Sequence, residues 1–95
     1  MTGTTRSSSD LDPRRRKALF RSWHRGMREV DLILGSFADG EIGNLTDDEL
    51  TVYESFMAEL DADILRWVTG EASVPPSHDT PVFAKILAYR ASPIS

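Results

Sequence analysis

The sequence predicts an all-α protein, a single small bundle of five helices. Three observations point there. Apolar residues recur at spacings of three and four along most of the chain, the period of a helix face. Helix-start signals stand before these runs: Asp12-Pro13, Thr46 with Glu49, and Thr80-Pro81. No stretch carries the strict alternation of a half-buried strand. Ninety-five residues make one domain, with a modest core and little room for an active-site cavity. The expected division is a disordered N-terminal tail over 1–10, a helical domain over 11–91 and a short tail over 92–95.

The first helix is predicted from about Pro13 to His24, with Ala18, Leu19, Phe20 and Trp23 as its apolar stripe. Pro13 fits the first helical position, and Gly26 is read as the stop, because glycine accepts a left-handed backbone. A second helix is predicted over Met27–Ala38, with Val30, Ile33, Leu34 and Phe37 on one face. Glu29 falls in its first turn, where a carboxylate meets the positive end of the helix dipole. Gly35 inside it suggests a close backbone approach or an early end. Asp39 to Asn44 read as a loop.

The third helix has the clearest start. Thr46 and Glu49 form a capping box, and Leu50, Tyr53, Phe56, Met57 and Leu60 follow as its buried stripe. A short fourth helix begins at Asp61, carries Ile64, Leu65, Trp67 and Val68, and ends at Gly70. Glu71 to Asp79 contains Pro75-Pro76 and reads as an extended connector, with His78 solvated. The fifth helix opens at Thr80-Pro81, offers Val82, Phe83, Ile86, Leu87 and Tyr89, and ends at Ser92-Pro93.

Composition removes several function classes. The chain has no cysteine, so thiolate catalysis and cysteine-ligated metal are excluded. His24 and His78 lie far apart and in no metal-ligand spacing. No apolar run approaches the roughly 20 residues that span a bilayer, so membrane insertion is not expected. The first ten residues lack the apolar stretch of a secretory signal. They are Ser/Thr-rich, but Asp10 and Asp12 are out of character for a transit peptide. No nucleophile elbow, phosphate loop or zinc motif is present, and Asp47, Asp48, Glu49, Asp61 and Asp63 are placed as helix-start acids rather than catalytic ones.

Charge is uneven. Residues 1–28 carry a net charge of +6 and residues 29–95 a net charge of −10. The basic segment either lies against the acidic body or faces an acidic partner, and both readings stand at this point. Nucleic acid is disfavoured, since the acidic remainder would repel a phosphate backbone.

The densest chemistry is the run Arg25-Gly26-Met27-Arg28-Glu29, beside Trp23 and His24. A helix junction needs a glycine and is helped by an acid. It does not need two arginines as well. A local reading pairs Arg25 with Glu29. The functional reading is a rigid charged corner that recognises a protein surface.

This run resembles the RGxxE motif of the SdhE family of succinate dehydrogenase flavinylation factors, which are similar to the mitochondrial succinate dehydrogenase assembly factor. The segment from Trp23 to Leu34 followed by Phe37-Ala38, then Leu45-Thr46 with Glu49-Leu50, Tyr53-Glu54, and Asp61 through Trp67 to Gly70, match the family in type and order. The likeness covers about residues 14–90. It implies a five-helix assembly factor, not an enzyme, that binds the flavoprotein subunit of succinate dehydrogenase, and in some bacteria of fumarate reductase. Such a factor promotes covalent attachment of FAD to a histidine of that subunit. Carried onto this chain, Arg25, Gly26 and Glu29 line the binding surface, with Met27 and Arg28 at the variable positions and His24 beside them. The isolated chain is expected to bind no FAD tightly, to be a monomer when free, and to work in a bacterial cytoplasm, with the mitochondrial matrix second. The alternative is a helical interaction module, unrelated to flavin, that uses its basic first helix.

Overall fold

The computed structural model describes residues 10–91. Five α-helices follow in order: α1 (Pro13–Trp23), α2 (Arg28–Glu41), α3 (Asp47–Met57), α4 (Asp61–Thr69) and α5 (Pro81–Ala91), with a single 3₁₀ turn at Pro76–His78. There is no strand among the described residues, so the all-α expectation holds. The expected fifth-helix stop at Ser92-Pro93 and the two tails, save Asp10, lie outside them.

Helix α2 is the axis of the bundle, packing against α1, α4 and α5. Its Val30, Leu34, Phe37 and Ala38 are buried, and they meet Leu50, Tyr53, Phe56 and Met57 of α3, Ile64 and Val68 of α4, and Val82, Phe83 and Ile86 of α5 in one core. Inside that core Ser22 Oγ donates to Ala18 O at 2.8 Å or shares a 2.6 Å bond with the Tyr53 hydroxyl, which also reaches Leu34 O at 3.3 Å. Burial pushes the Tyr53 phenol well above its ordinary range, so it stays a neutral donor.

Two glycines set the packing of α2. A Cβ at Gly35 would collide with the Trp23 indole, so the expected close approach is real and the helix does not end there. A Cβ at Gly40 would collide with the Tyr89 hydroxyl, which donates to Glu41 at 3.0 Å. That packing holds Asp39 to Glu41 in the helix and corrects the expected loop, which begins only at Ile42. The capping box of α3 forms as expected: Glu49 N–H donates to Thr46 Oγ1 at 3.1 Å, and Thr46 N–H donates to Glu49 Oε1 at 2.9 Å. Gly70 closes α4 in the left-handed conformation, φ 83°.

Three further expectations are corrected. Leu60 is not in the buried stripe; it stands 72% exposed, because α3 ends at Met57 and the chain turns before α4. His78 is not solvated. It is 6% exposed, between Phe56 and Trp67, and its Nε2 lies 2.7 Å from Glu59 Oε2. Gly26 does not stop α1 through a left-handed backbone; Gly70 is the one described glycine with positive φ.

The basic start of α1 is answered within the fold. Arg14 forks onto Glu54 at 2.8 and 3.1 Å and reaches Thr51 Oγ1 at 2.7 Å. Arg15 donates to Leu45 O at 2.6 Å and Ile42 O at 3.2 Å, and Arg16 to Leu11 O at 2.6 Å. Of the two readings of the charge asymmetry, the intramolecular one accounts for Arg14 and Arg15, which reach Glu54 and Asp47.

Candidate docking corner at the first helix junction

The α1–α2 junction is a corner of four residues, His24 to Met27. Helix α1 ends where Trp23 must turn inward: its indole covers Gly35 and its Nε1 donates to Asp39 at 3.1 Å. Met27 is extended (φ −124°, ψ 131°) and serves as the N-cap of α2 without a side-chain bond. Asp31, in the first turn of α2, reaches back along the chain to accept the Arg25 N–H at 2.6 Å.

Arg25 fixes the corner to the α3–α4 turn. Its Nε donates to Asp61 Oδ1 at 2.8 Å, one terminal nitrogen to Met57 O at 2.7 Å, and the other to Glu59 O at 3.1 Å. The guanidinium thus satisfies two carbonyls at the negative end of α3 and pairs with an acid at the positive end of α4. The second Asp61 oxygen accepts the Gly26 N–H at 2.7 Å. A Cβ on Gly26 would come within 3.1 Å of that oxygen, so a larger residue would press on the Asp61 carboxylate by a few tenths of an ångström. The Arg25 and Asp61 side chains are only 11% and 17% exposed. The local pair of Arg25 with Glu29 does not form.

The other residues of the run behave differently. Met27 is half-buried against the core. Arg28 and Glu29 are exposed, and their side chains make no hydrogen bond or ion pair among the described residues. His24 is exposed; its ring stacks on Phe20 at 3.8 Å between centroids and 15° between planes, and its Nδ1 lies 2.7 Å from Phe20 O. Since a carbonyl only accepts, Nδ1 carries the proton. A shallow depression of about 250 Å³ lies in the corner, lined by Arg21, His24, Arg25, Gly26 and Asp61.

The expected site residues are therefore brought together, but in two layers. The Arg25 side chain faces inward and Gly26, itself exposed, joins the frame through its N–H. Arg28, Glu29 and His24 face outward. Sequence reasoning missed the residues that hold the frame, Asp31, Asp61 and the Glu59 carbonyl. Asp61 stands 36 residues from Arg25, and nothing local in the sequence joins them.

The family model described as Sdh5, flavinator of succinate dehydrogenase, matches residues 16–90. The chain belongs to this family. Among its relatives, succinate dehydrogenase assembly factor 2, mitochondrial, of Dictyostelium discoideum is 40% identical over 74 residues, covering 78% of this chain and 52% of that protein. The protein of the same name from Saccharomyces cerevisiae is 34% identical over 82 residues, 86% of this chain and 51% of the relative. The FAD assembly factor SdhE of Acetobacter pasteurianus is 30% identical over 81 residues, 85% of this chain and 74% of the relative. The chain spans about half the length of the Dictyostelium and yeast relatives. Their names, with that of the Penicillium rubens relative, overturn the expected bacterial cytoplasmic location and point to mitochondria. The whole corner lies inside the segment that the Sdh5 family model matches.

Proposed function

We propose that this chain is an assembly factor that docks on the flavoprotein subunit of succinate dehydrogenase and promotes covalent attachment of FAD to a histidine of that subunit. The family match over residues 16–90 carries this reading. The corner suits it physically: Glu29 and Arg28 project from a helix start held by four hydrogen bonds of Arg25. A charged group on a rigid element forms a charge-assisted contact with little ordering cost.

The chemistry belongs to the partner. Flavin attachment needs a nucleophilic histidine, an electrophilic flavin and stabilisation of charge, and the factor's role is to hold the flavoprotein in the arrangement that brings these together. This chain acts without a catalytic group of its own. It binds no FAD tightly: the corner depression, about 250 Å³, is smaller than the roughly 300–1,000 Å³ of ligand pockets and largely charged. A second depression, about 550 Å³, has one cation in its lining, Arg15, and that guanidinium is already engaged by Asp12, Asp47 and two carbonyls. The factor is monomeric when free, and a fumarate reductase flavoprotein is the second client that the resemblance implies.

The test is covalent flavin fluorescence of the succinate dehydrogenase flavoprotein, with wild-type chain, with Glu29→Ala and with none. The expected result is strong signal, much reduced signal and background, with the helical content of Glu29→Ala unchanged. Equal signal with and without the wild-type chain would remove the reading.

A further inference from the structure

The large exposed apolar side chains among the described residues each stand beside the α1–α2 corner. Among the described residues, three large hydrophobic side chains stand exposed: Phe20 at 60%, Leu32 at 39% and Leu60 at 72%. Each borders the corner. Phe20 is stacked on His24, which lines the corner depression. Leu60 directly precedes Asp61, whose carboxylate holds Arg25 and Gly26. Leu32 lies three and four residues beyond Glu29 and Arg28, the spacing that puts residues on one helix face.

Single exposed hydrophobics are ordinary on a protein surface. Their convergence from α1, α2 and the α3–α4 turn on one corner is not accounted for by packing. Phe20 in particular stands outside the core, with its ring stacked on His24. A pre-ordered aromatic surrounded by charge has the anatomy of an interface anchor.

The charge around these residues has a sign. Lys17, Arg21 and Arg28 are exposed cations on the same two helices. Glu54, whose charge Lys17 and Arg21 feel, has both oxygens engaged by Arg14. Arg25 and Asp61 neutralise each other. Glu29 is the one exposed carboxylate of the run. The surface is thus apolar at three points and positive on its α1–α2 side, while the carboxylates beside Leu60, Glu59 and Asp63, are engaged by His78 and Arg66.

We infer that Phe20, Leu32 and Leu60 are the apolar anchors of the docking surface, and that the flavoprotein partner meets them with apolar side chains rimmed by carboxylates facing Lys17, Arg21 and Arg28. This rests on the proposed flavoprotein docking and extends it well beyond the Arg25–Glu29 run. The partner is the same because the patch is continuous with the corner through His24 and Asp61.

The test titrates wild-type chain and variants into the succinate dehydrogenase flavoprotein subunit lacking covalent flavin, read by calorimetry, with far-UV circular dichroism as the check on folding. Phe20→Ala and Leu60→Ala should each weaken binding about tenfold, the loss typical of an interface anchor. Phe20→Tyr keeps the stacked ring and should bind within about twofold of wild type. Wild-type affinity should fall as salt rises. Glu29→Ala is measured alongside. If Glu29→Ala weakens binding and both truncations leave it unchanged, the inference is overturned and the docking reading stands. If the truncations weaken binding and Glu29→Ala does not, the apolar surface is upheld and Glu29 is removed from it. Salt-independent binding overturns the acidic rim. If the wild-type chain does not bind the subunit, both the reading and the inference fall.

Discussion

Replacing Arg25 with alanine tests whether the most recognisable residue of the corner acts inside the protein. The substitution removes three side-chain hydrogen bonds and the ion pair to Asp61. It leaves the Met57 and Glu59 carbonyls without their donor, and Asp61 with only the Gly26 N–H. Removing one partner of a buried pair costs about 3–5 kcal/mol, and a bond to a charged group is worth about 1.5–3 kcal/mol. Side chains 11% and 17% exposed admit some water to the gap, which lowers the loss to about 2–4 kcal/mol. A small domain has about 5–15 kcal/mol in total, so the midpoint of thermal unfolding should fall by at least about 10 °C. Urea unfolding followed by circular dichroism measures this directly. Glu29→Ala, at an exposed position with no side-chain partner, should change stability by less than about 0.5 kcal/mol. An Arg25→Ala variant as stable as wild type would refute the strut and return Arg25 to the outer surface.

Two further outcomes follow from the packing and the charges. Gly35→Ala gains helix propensity but drives a methyl into the Trp23 indole, and overpacking of about 1–3 kcal/mol should win, with Trp23 fluorescence shifted as the ring moves. The Glu54 carboxyl is held below its ordinary 4.5, first by its hydrogen bond from Arg14, and Glu49 is held low first by the Thr46 backbone N–H. A depressed folded value means stability that is present above pH 4.5 and lost as pH falls through the folded values. The urea midpoint should therefore decline on the acid side of 4.5, and Glu54→Gln should flatten that decline; an unchanged acid slope in Glu54→Gln would contradict the pairing.

The fold was legible because its signals are local. Thr46 and Glu49 form the predicted box, Pro13 and Pro81 open their helices, and Gly70 closes α4. The misreadings are places where a distant residue overrides a local preference. Asp39-Gly40-Glu41 has turn composition, but Trp23 and Tyr89 pack on it and bond its acids, so the helix continues. His78 looks like a polar connector residue until Glu59 and two aromatic rings enclose it. Leu60 continues the α3 stripe in sequence, but the helix has already ended at Met57, where Arg25 takes the carbonyl. At the corner, composition marked Arg25 to Glu29 as one group. It could not separate inward from outward, because that division depends on Asp61.

Asp61 thus explains why the run has the form it has. A glycine suits position 26 because a Cβ would press on the carboxylate that accepts its N–H. An arginine is needed at position 25 because one planar fork must meet that same carboxylate and two carbonyls together. Lysine, a point charge, would pair with Asp61 but could not span all three acceptors in that fixed plane. With Arg25 and Gly26 committed to the frame, the first turn of α2 is locked in direction, and the side chains that leave it unpaired are Arg28 and Glu29. The corner therefore divides into two residues that set an angle and two that project from it. A substitution in the first pair is expected to cost stability and docking together, and one in the second to cost docking alone.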